Sequence, residues 1–146
     1  GTHSREKLLW KLGGYDYAEI NTSPWYREAG AGMGQTLSMT NELQGYTLSD
    51  SASWGTYQSN LTLVPLVEND PAFLNVYAVM RVDDKVCPDV NTEMAKKWIN
   101  FMISDEVQDL LSVYGVEKNG VPYFNPGRGN AAIMGVTNEE TKDPVV

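Results

Sequence analysis

Residues Leu61 to Val67 form an almost unbroken apolar run carrying one proline, and this run constrains the fold more than any other stretch. It predicts a short buried strand with a Pro-marked end. A turn signal follows at Asn69-Asp70-Pro71, and Phe73 to Val82 predicts a second strand. Before this pair, Leu8, Leu9 and Leu12 give Arg5 to Leu12 the apolar face of a helix that Gly13-Gly14 ends. Asn21-Thr22-Ser23-Pro24 reads as a loop, and Trp25-Tyr26 as a short extended segment. Leu37, Met39 and Leu43 recur on a helical period from about Gly34, with a stop before Gly45. Tyr46-Thr47-Leu48 is β-prone, and Ser49-Asp50 can cap a helix through Trp54 to about Gln58.

After the apolar pair, Asp83-Asp84-Lys85 reads as a turn. Pro88 to Asn91 leads into a helix with Met94, Ala95, Trp98, Ile99 and Met102 on one face. Ser104-Asp105-Glu106 caps one more, with Val107, Leu110, Leu111 and Tyr114 facing inward and Gly115 closing it. Strands alternating with helices place the chain in the α/β class. The stretch from Gly127 through the acidic end reads as a mobile tail, residues 127–146.

Two helix starts carry an unusual donor composition. Gly1-Thr2-His3-Ser4 runs straight into the first helix, and Ala29-Gly30-Ala31-Gly32-Met33-Gly34 precedes the next amphipathic stretch. Free backbone N–H groups and hydroxyls at the positive end of a helix dipole make a receptor for a small anion. In a chain of formal net charge −8, anion capture would come from such dipoles rather than from a basic field. The acidic balance argues against nucleic acid, since Lys96-Lys97 is the only adjacent basic pair. No apolar run approaches the ~18 residues a membrane span needs. One cysteine, Cys87, excludes an internal disulfide.

Enzyme chemistry finds little support. His3 is the only histidine, so any nucleophile–base pair would have to use it, and its position in a first helical turn suits a solvated or cleft-lining role. Glu139-Glu140 and Asp83-Asp84 are adjacent carboxylates that point apart on most backbones. One His and one Cys are too few for a dedicated zinc site. Trp10, Trp25, Tyr26 and Trp54 could stack on a sugar or base, but core packing is the better reading of most of them. No catalytic residue, metal or cofactor is therefore expected.

The order of these blocks carries a resemblance. Gly1-Thr2-His3, then Trp25-Tyr26-Arg27-Glu28-Ala29-Gly30-Ala31-Gly32-Met33-Gly34 and Gly45 to Asp50 resemble the tungstate-binding proteins of ABC importers, a branch of the type II periplasmic binding proteins. Leu63 to Pro71, Leu74 to Val79 and Gly120-Val121-Pro122-Tyr123-Phe124 extend the match across residues 1 to 126. The resemblance implies a partial two-lobe α/β fold, in which residues 1–70 belong to the second lobe. Residues 71–126 would supply a hinge-crossing strand and C-terminal helices that pack on the first lobe, whose bulk would precede Gly1.

A tetrahedral oxyanion is a pure acceptor at neutral pH, so its site should present donors only. The resemblance assigns that role to the Thr2 hydroxyl, with the N–H groups of Gly1 and His3 beside it and those of Gly32, Met33 and Gly34 at the second mouth. Close packing is an equal reading of these last glycines. The family's hydroxyl-rich motif and an arginine before its Gly-Thr block have no counterparts here. The family's Thr-Asp-Arg-Gly-Thr-Tyr becomes Ser49-Asp50-Ser51-Ala52-Ser53-Trp54, which loses another arginine. Arg5 and Arg27 are the close basic side chains, and Arg5 is expected to face solvent. The implied ligand is tungstate, with molybdate, sulfate or phosphate as alternatives. The implied partner is an ABC permease, and the implied location of the parent is periplasmic or extracellular, behind a signal peptide or lipid anchor. A patch of apolar surface left by the incomplete lobe would favour a homo-oligomer, and a self-associating interaction domain without ligand is the competing class.

Overall fold

Helix starts decide much of this architecture. The computed structural model describes residues 1–142; the end of the expected mobile tail, 143–146, lies outside the described residues. Eight α-helices are present among them: α1 (Thr2–Leu12), α2 (Tyr17–Thr22), α3 (Met33–Leu43), α4 (Ser51–Tyr57), α5 (Thr92–Ile103), α6 (Asp105–Val113), α7 (Val116–Asn119) and α8 (Ala131–Met134). Asp16 accepts from the Ala18 N–H at 2.9 Å and starts α2, and Asp50 accepts from the Ser53 N–H at 2.7 Å and starts α4. Asn91 caps α5 through the Met94 N–H at 3.0 Å, and Ser104 caps α6 through the Val107 N–H at 3.4 Å. Each such cap satisfies a donor that the helix leaves free, worth about 1 kcal/mol. The two 11-residue helices differ: α1 starts on Gly1 and α3 on Gly32, and neither has a side-chain cap.

The chain divides into two compact units, the first spanning Gly1–Leu74 and the second running from Asn75. In the first unit α1 packs on α2 and α3 on α4. Its buried apolar residues are Ile20 of α2 and Leu37 of α3, the latter only 2% exposed. Thr40 is buried beside Leu37 because its hydroxyl donates to the Thr36 carbonyl at 2.8 Å. Asn41 of α3 accepts both the Thr62 N–H (2.7 Å) and the Thr62 hydroxyl (3.0 Å), which fixes where the apolar run leaves the helix pair. Arg5 does not face solvent as its helical position suggested. Its guanidinium donates to the carbonyls of Leu74 (2.6 Å) and Ala72 (3.4 Å), so α1 holds the end of its own unit.

In the second unit α5 packs on α6. Gln108, buried on α6, donates to the Met102 carbonyl at 2.9 Å and accepts the Arg128 N–H at 3.0 Å. The Arg128 guanidinium pairs with Asp105 and Asp109, and those two hydrogen bonds, Asp109 foremost, raise its affinity for its proton. Ala131 is buried in α8. The start of the expected tail is thus tied to α6 through Arg128 and Gln108, a long-range link that local composition does not encode, and Thr141 further along is buried as well.

The strand expectation needs correction. Among the described residues no strand is formed. Leu61 to Val67 and Leu74 to Val82 lack strand pairing, and Phe73 instead ends a 3-10 turn, Pro71–Phe73, capped by Asp70. A β-prone run becomes a strand only when a neighbour supplies ladder hydrogen bonds, and none does so here. Apolar side chains in both runs are therefore exposed, Val64 at 69% and Met80 at 83%. The same correction applies to two inward-facing assignments on α6. Val107 is buried as expected, but Leu110 and Tyr114 are more than half exposed; Met94 and Trp98 on α5 are also more than half exposed, in keeping with the expected patch of apolar surface.

Candidate functional site

The two donor-rich helix mouths both lie in the first unit, and the structure separates the reasons for their glycines. A Cβ built on Gly34 would lie 2.5 Å from Tyr57 Cζ and 2.6 Å from its hydroxyl, so this glycine lets the Tyr57 ring sit against α3. Gly30 has φ +59°, a conformation that side-chain-bearing residues rarely adopt. Gly32 has neither reason. Its φ of −68° suits any residue, and nothing lies within 4 Å of a Cβ placed there. Gly32 is thus a helix-starting glycine that leaves room for an approaching ligand, and Gly34 is a packing glycine whose N–H alone remains a candidate donor.

The first backbone bond of α3 runs from the Thr36 N–H to the Gly32 carbonyl at 3.0 Å, and that of α1 from the Arg5 N–H to the Gly1 carbonyl at 3.2 Å. The N–H groups of Met33 and Gly34, and of Thr2 and His3, precede those bonds and belong to the donors a helix leaves free. A broad, open cavity lies along α3, lined by Ala29, Ala31, Gly34, Gln35, Ser38 and Glu42, among others. Of the expected donors only Gly34 lines it; Gly1, Thr2, His3, Gly32 and Met33 do not. Glu42 places a carboxylate in that cavity, which disfavours an anion at its far end.

Between the mouths stands a hydrogen-bonded cluster that the sequence did not announce. The Tyr17 hydroxyl donates to Glu28 Oε1 at 2.5 Å, meets His3 Nε2 at 2.9 Å and lies 3.3 Å from the Tyr26 hydroxyl. The Lys7 ammonium sits 4.4 Å above the Tyr17 ring, and His3 and Tyr26 pack edge-on against that ring. The bond to Glu28 raises the Tyr17 hydroxyl above its ordinary range, because the proton is shared with a carboxylate. Burial raises Tyr26 further, with its bonds to Tyr17 and Glu6 adding to the effect. Trp10 donates to Glu6 at 3.2 Å and tilts against Tyr15 and Trp25, and Trp25 remains 61% exposed. These rings form a surface cluster rather than the core expected of them. Asp16 directly before a Tyr-Ala-Glu segment was the available signal for α2, which the sequence reading passed over.

His3 is half-exposed and engaged with Tyr17, 3.8 Å from Glu28, with no nucleophile in contact. Cys87 is exposed and free. Among the described residues no group of three or more His, Cys, Asp or Glu side chains could hold a metal ion, and no helix is long and apolar enough to cross a membrane.

Comparison with known proteins places the chain beside anion-binding proteins. The chain is 35% identical over 129 residues to the tungstate-binding protein TupA of Peptoclostridium acidaminophilum, covering 86% of this chain and 43% of that one. It is 32% identical over 117 residues to the tungstate-binding protein TupA of Campylobacter jejuni, covering 77% and 42%. A Haloferax volcanii protein with the provisional name ABC transporter anion-binding protein is 34% identical over 131 residues, covering 86% and 36%. The chain thus spans less than half the length of these curated relatives. No solved structure gives a significant match. The names of the relatives are those of binding proteins, not enzymes. The PBP superfamily domain matches residues 1–106, and by that match over most of its length the chain belongs to the PBP superfamily.

Proposed function

We propose that this chain is the anion-gripping portion of an ABC-importer solute-binding protein, and that its ligand is tungstate. The observation that carries this reading is α3, an 11-residue helix that starts on an open glycine, Gly32, without a side-chain cap. Helices α2, α4, α5 and α6 each have such a cap. A tetrahedral oxyanion is the natural occupant of such a start, since it accepts from several N–H groups and profits from the dipole. The donors are the Thr2 hydroxyl and the N–H groups of Gly1, His3, Gly32, Met33 and Gly34. The names of the relatives favour tungstate among the oxyanions.

On this reading the chain performs no chemistry on its ligand and needs no cofactor. It desolvates the anion, holds it by oriented donors and delivers it to a membrane permease from the periplasmic or extracellular side. On the same reading residues 1–70 belong to one lobe of a two-lobe α/β architecture. The test is isothermal titration with tungstate, molybdate, phosphate and sulfate. Tungstate should bind most tightly, and Thr2→Val should weaken it by roughly 1–3 kcal/mol through loss of one donor to a charged acceptor. Preference for another of the four anions reassigns the ligand, and an unchanged affinity in Thr2→Val removes Thr2 from the site.

A second property has its own observation. Val64, Met80, Trp98 and Leu110 are each more than half exposed. Exposed apolar surface of this kind supports self-association of the chain when it stands alone. Light scattering across a concentration series should then give masses above that of one chain, and a monomer at every concentration would refute it.

A further inference from the structure

We propose that Tyr17 is a positioning residue whose hydroxyl locks the start of α1 to the loop that feeds the start of α3. The inference rests on the anion reading above and deepens it. His3 belongs to the first turn of α1, and Glu28 stands four residues before Gly32, the residue on which α3 begins. These two side chains come from different segments, and the Tyr17 hydroxyl touches both, at 2.9 Å and 2.5 Å. Asp16 anchors Tyr17 itself by capping α2, and Ile20, one turn on, is buried. Tyr26 and Lys7 hold its ring from the two sides, at 5.8 Å between ring centroids and 4.4 Å to the ammonium.

The chemistry of this arrangement suits a lock better than a binding group. The hydroxyl spends its one proton on Glu28, whose engaged carboxylate also lies 3.8 Å from His3 Nε2. A free carboxylate four residues before a proposed anion donor would repel the ligand. Engaged with Tyr17, the same charge serves as an anchor. Loss of the hydroxyl should therefore act twice on the site, by releasing the loop from 29 to 32 and by freeing the Glu28 carboxylate.

The test compares native chain, Tyr17→Phe, Glu28→Ala and Glu28→Gln, all full length. Phenylalanine keeps the ring between Tyr26, His3 and Lys7, and Glu28 is half-exposed, so its variants should fold. Backbone amide hydrogen exchange is read first, with no anion present. Tyr17→Phe and Glu28→Ala should each speed exchange at residues 36–39, the first hydrogen-bonded amides of α3, by about tenfold, the loss expected for one charge-assisted bond, and leave the amides of α6 in the second unit unchanged. Glu28→Gln retains an acceptor for the tyrosine and should restore slow exchange. Tungstate titration should then show weakening of roughly fivefold or more in Tyr17→Phe and Glu28→Ala, with near-native affinity in Glu28→Gln. Unchanged exchange at residues 36–39 in both disrupting variants overturns the lock. If exchange changes as expected but the native chain takes no tungstate, the anion reading fails while the lock stands.

Discussion

Gly32 and Gly34 differ by two positions and should respond to alanine in opposite ways. At Gly34 the new Cβ would stand 2.5 to 2.8 Å from three atoms of the Tyr57 ring, well inside contact distance. Alanine in a helix gains up to about 1 kcal/mol over glycine, while overpacking of this kind costs about 1–3 kcal/mol. Tyr57 is 42% exposed and can partly swing away, which places the cost toward the lower end. The net expectation for Gly34→Ala is a loss of about 0–2 kcal/mol, with the ring displaced from α3. At Gly32 a Cβ meets nothing, and the backbone already suits alanine, so the folded chain should gain about 0.4–1 kcal/mol from the more restricted unfolded state. That same methyl stands where a ligand must approach the first N–H groups of α3. Losing one such bond to a charged acceptor should weaken tungstate roughly tenfold to a hundredfold. Urea unfolding followed by tryptophan fluorescence, paired with calorimetric titration, reads both effects. Native affinity in Gly32→Ala would remove the second mouth from the site. A Gly34→Ala chain more stable than the native one would show that the Tyr57 contact does not require glycine.

Two further expectations concern the second unit. Gln108→Ala strands a carbonyl at Met102 and an N–H at Arg128, so it should destabilise that unit by about 1–3 kcal/mol in denaturant titration; a change under about 0.5 kcal/mol would mean that water replaces the amide. Glu140 accepts from the Thr137 N–H at 2.7 Å and pairs with the Thr137 hydroxyl, which holds its carboxyl below the ordinary 4.5. A depressed carboxylate stabilises the fold above its unfolded value and loses that contribution as pH falls through the folded one. Carboxyl NMR titration of Thr137→Ala should show Glu140 moving part of the way back toward 4.5, since the backbone bond remains.

What the sequence made legible was local. Asp50, Asn91 and Ser104 announced their helices because a cap acts within three residues of itself. Glycine-led helix starts at Gly1 and Gly32 were equally visible. The role of Gly34 was not, because it depends on Tyr57, more than twenty residues away. The Tyr17 cluster depends likewise on His3 and Glu28, brought together by the packing of α1 on α2. Arg5 was misread for the same reason, since its acceptors at Ala72 and Leu74 are distant in sequence. For Leu61 to Val67 and Phe73 to Val82 the pattern named a propensity, while pairing depends on a neighbour that the pattern cannot supply.

Those two runs also bear on how such a chain behaves in concentrated solution. Leu61 to Val67 has no charged residue, and Asn75 to Val82 has one, Arg81. Short, apolar, β-prone and nearly uncharged segments are the kind that stack into cross-β ladders once several chains meet. Pro65 removes one N–H from the first such ladder, and Arg81 would place like charges one above another in the second. Each run thus has a single gatekeeper, and colloidal stability hangs on residues that neither contact a ligand nor contribute to a core.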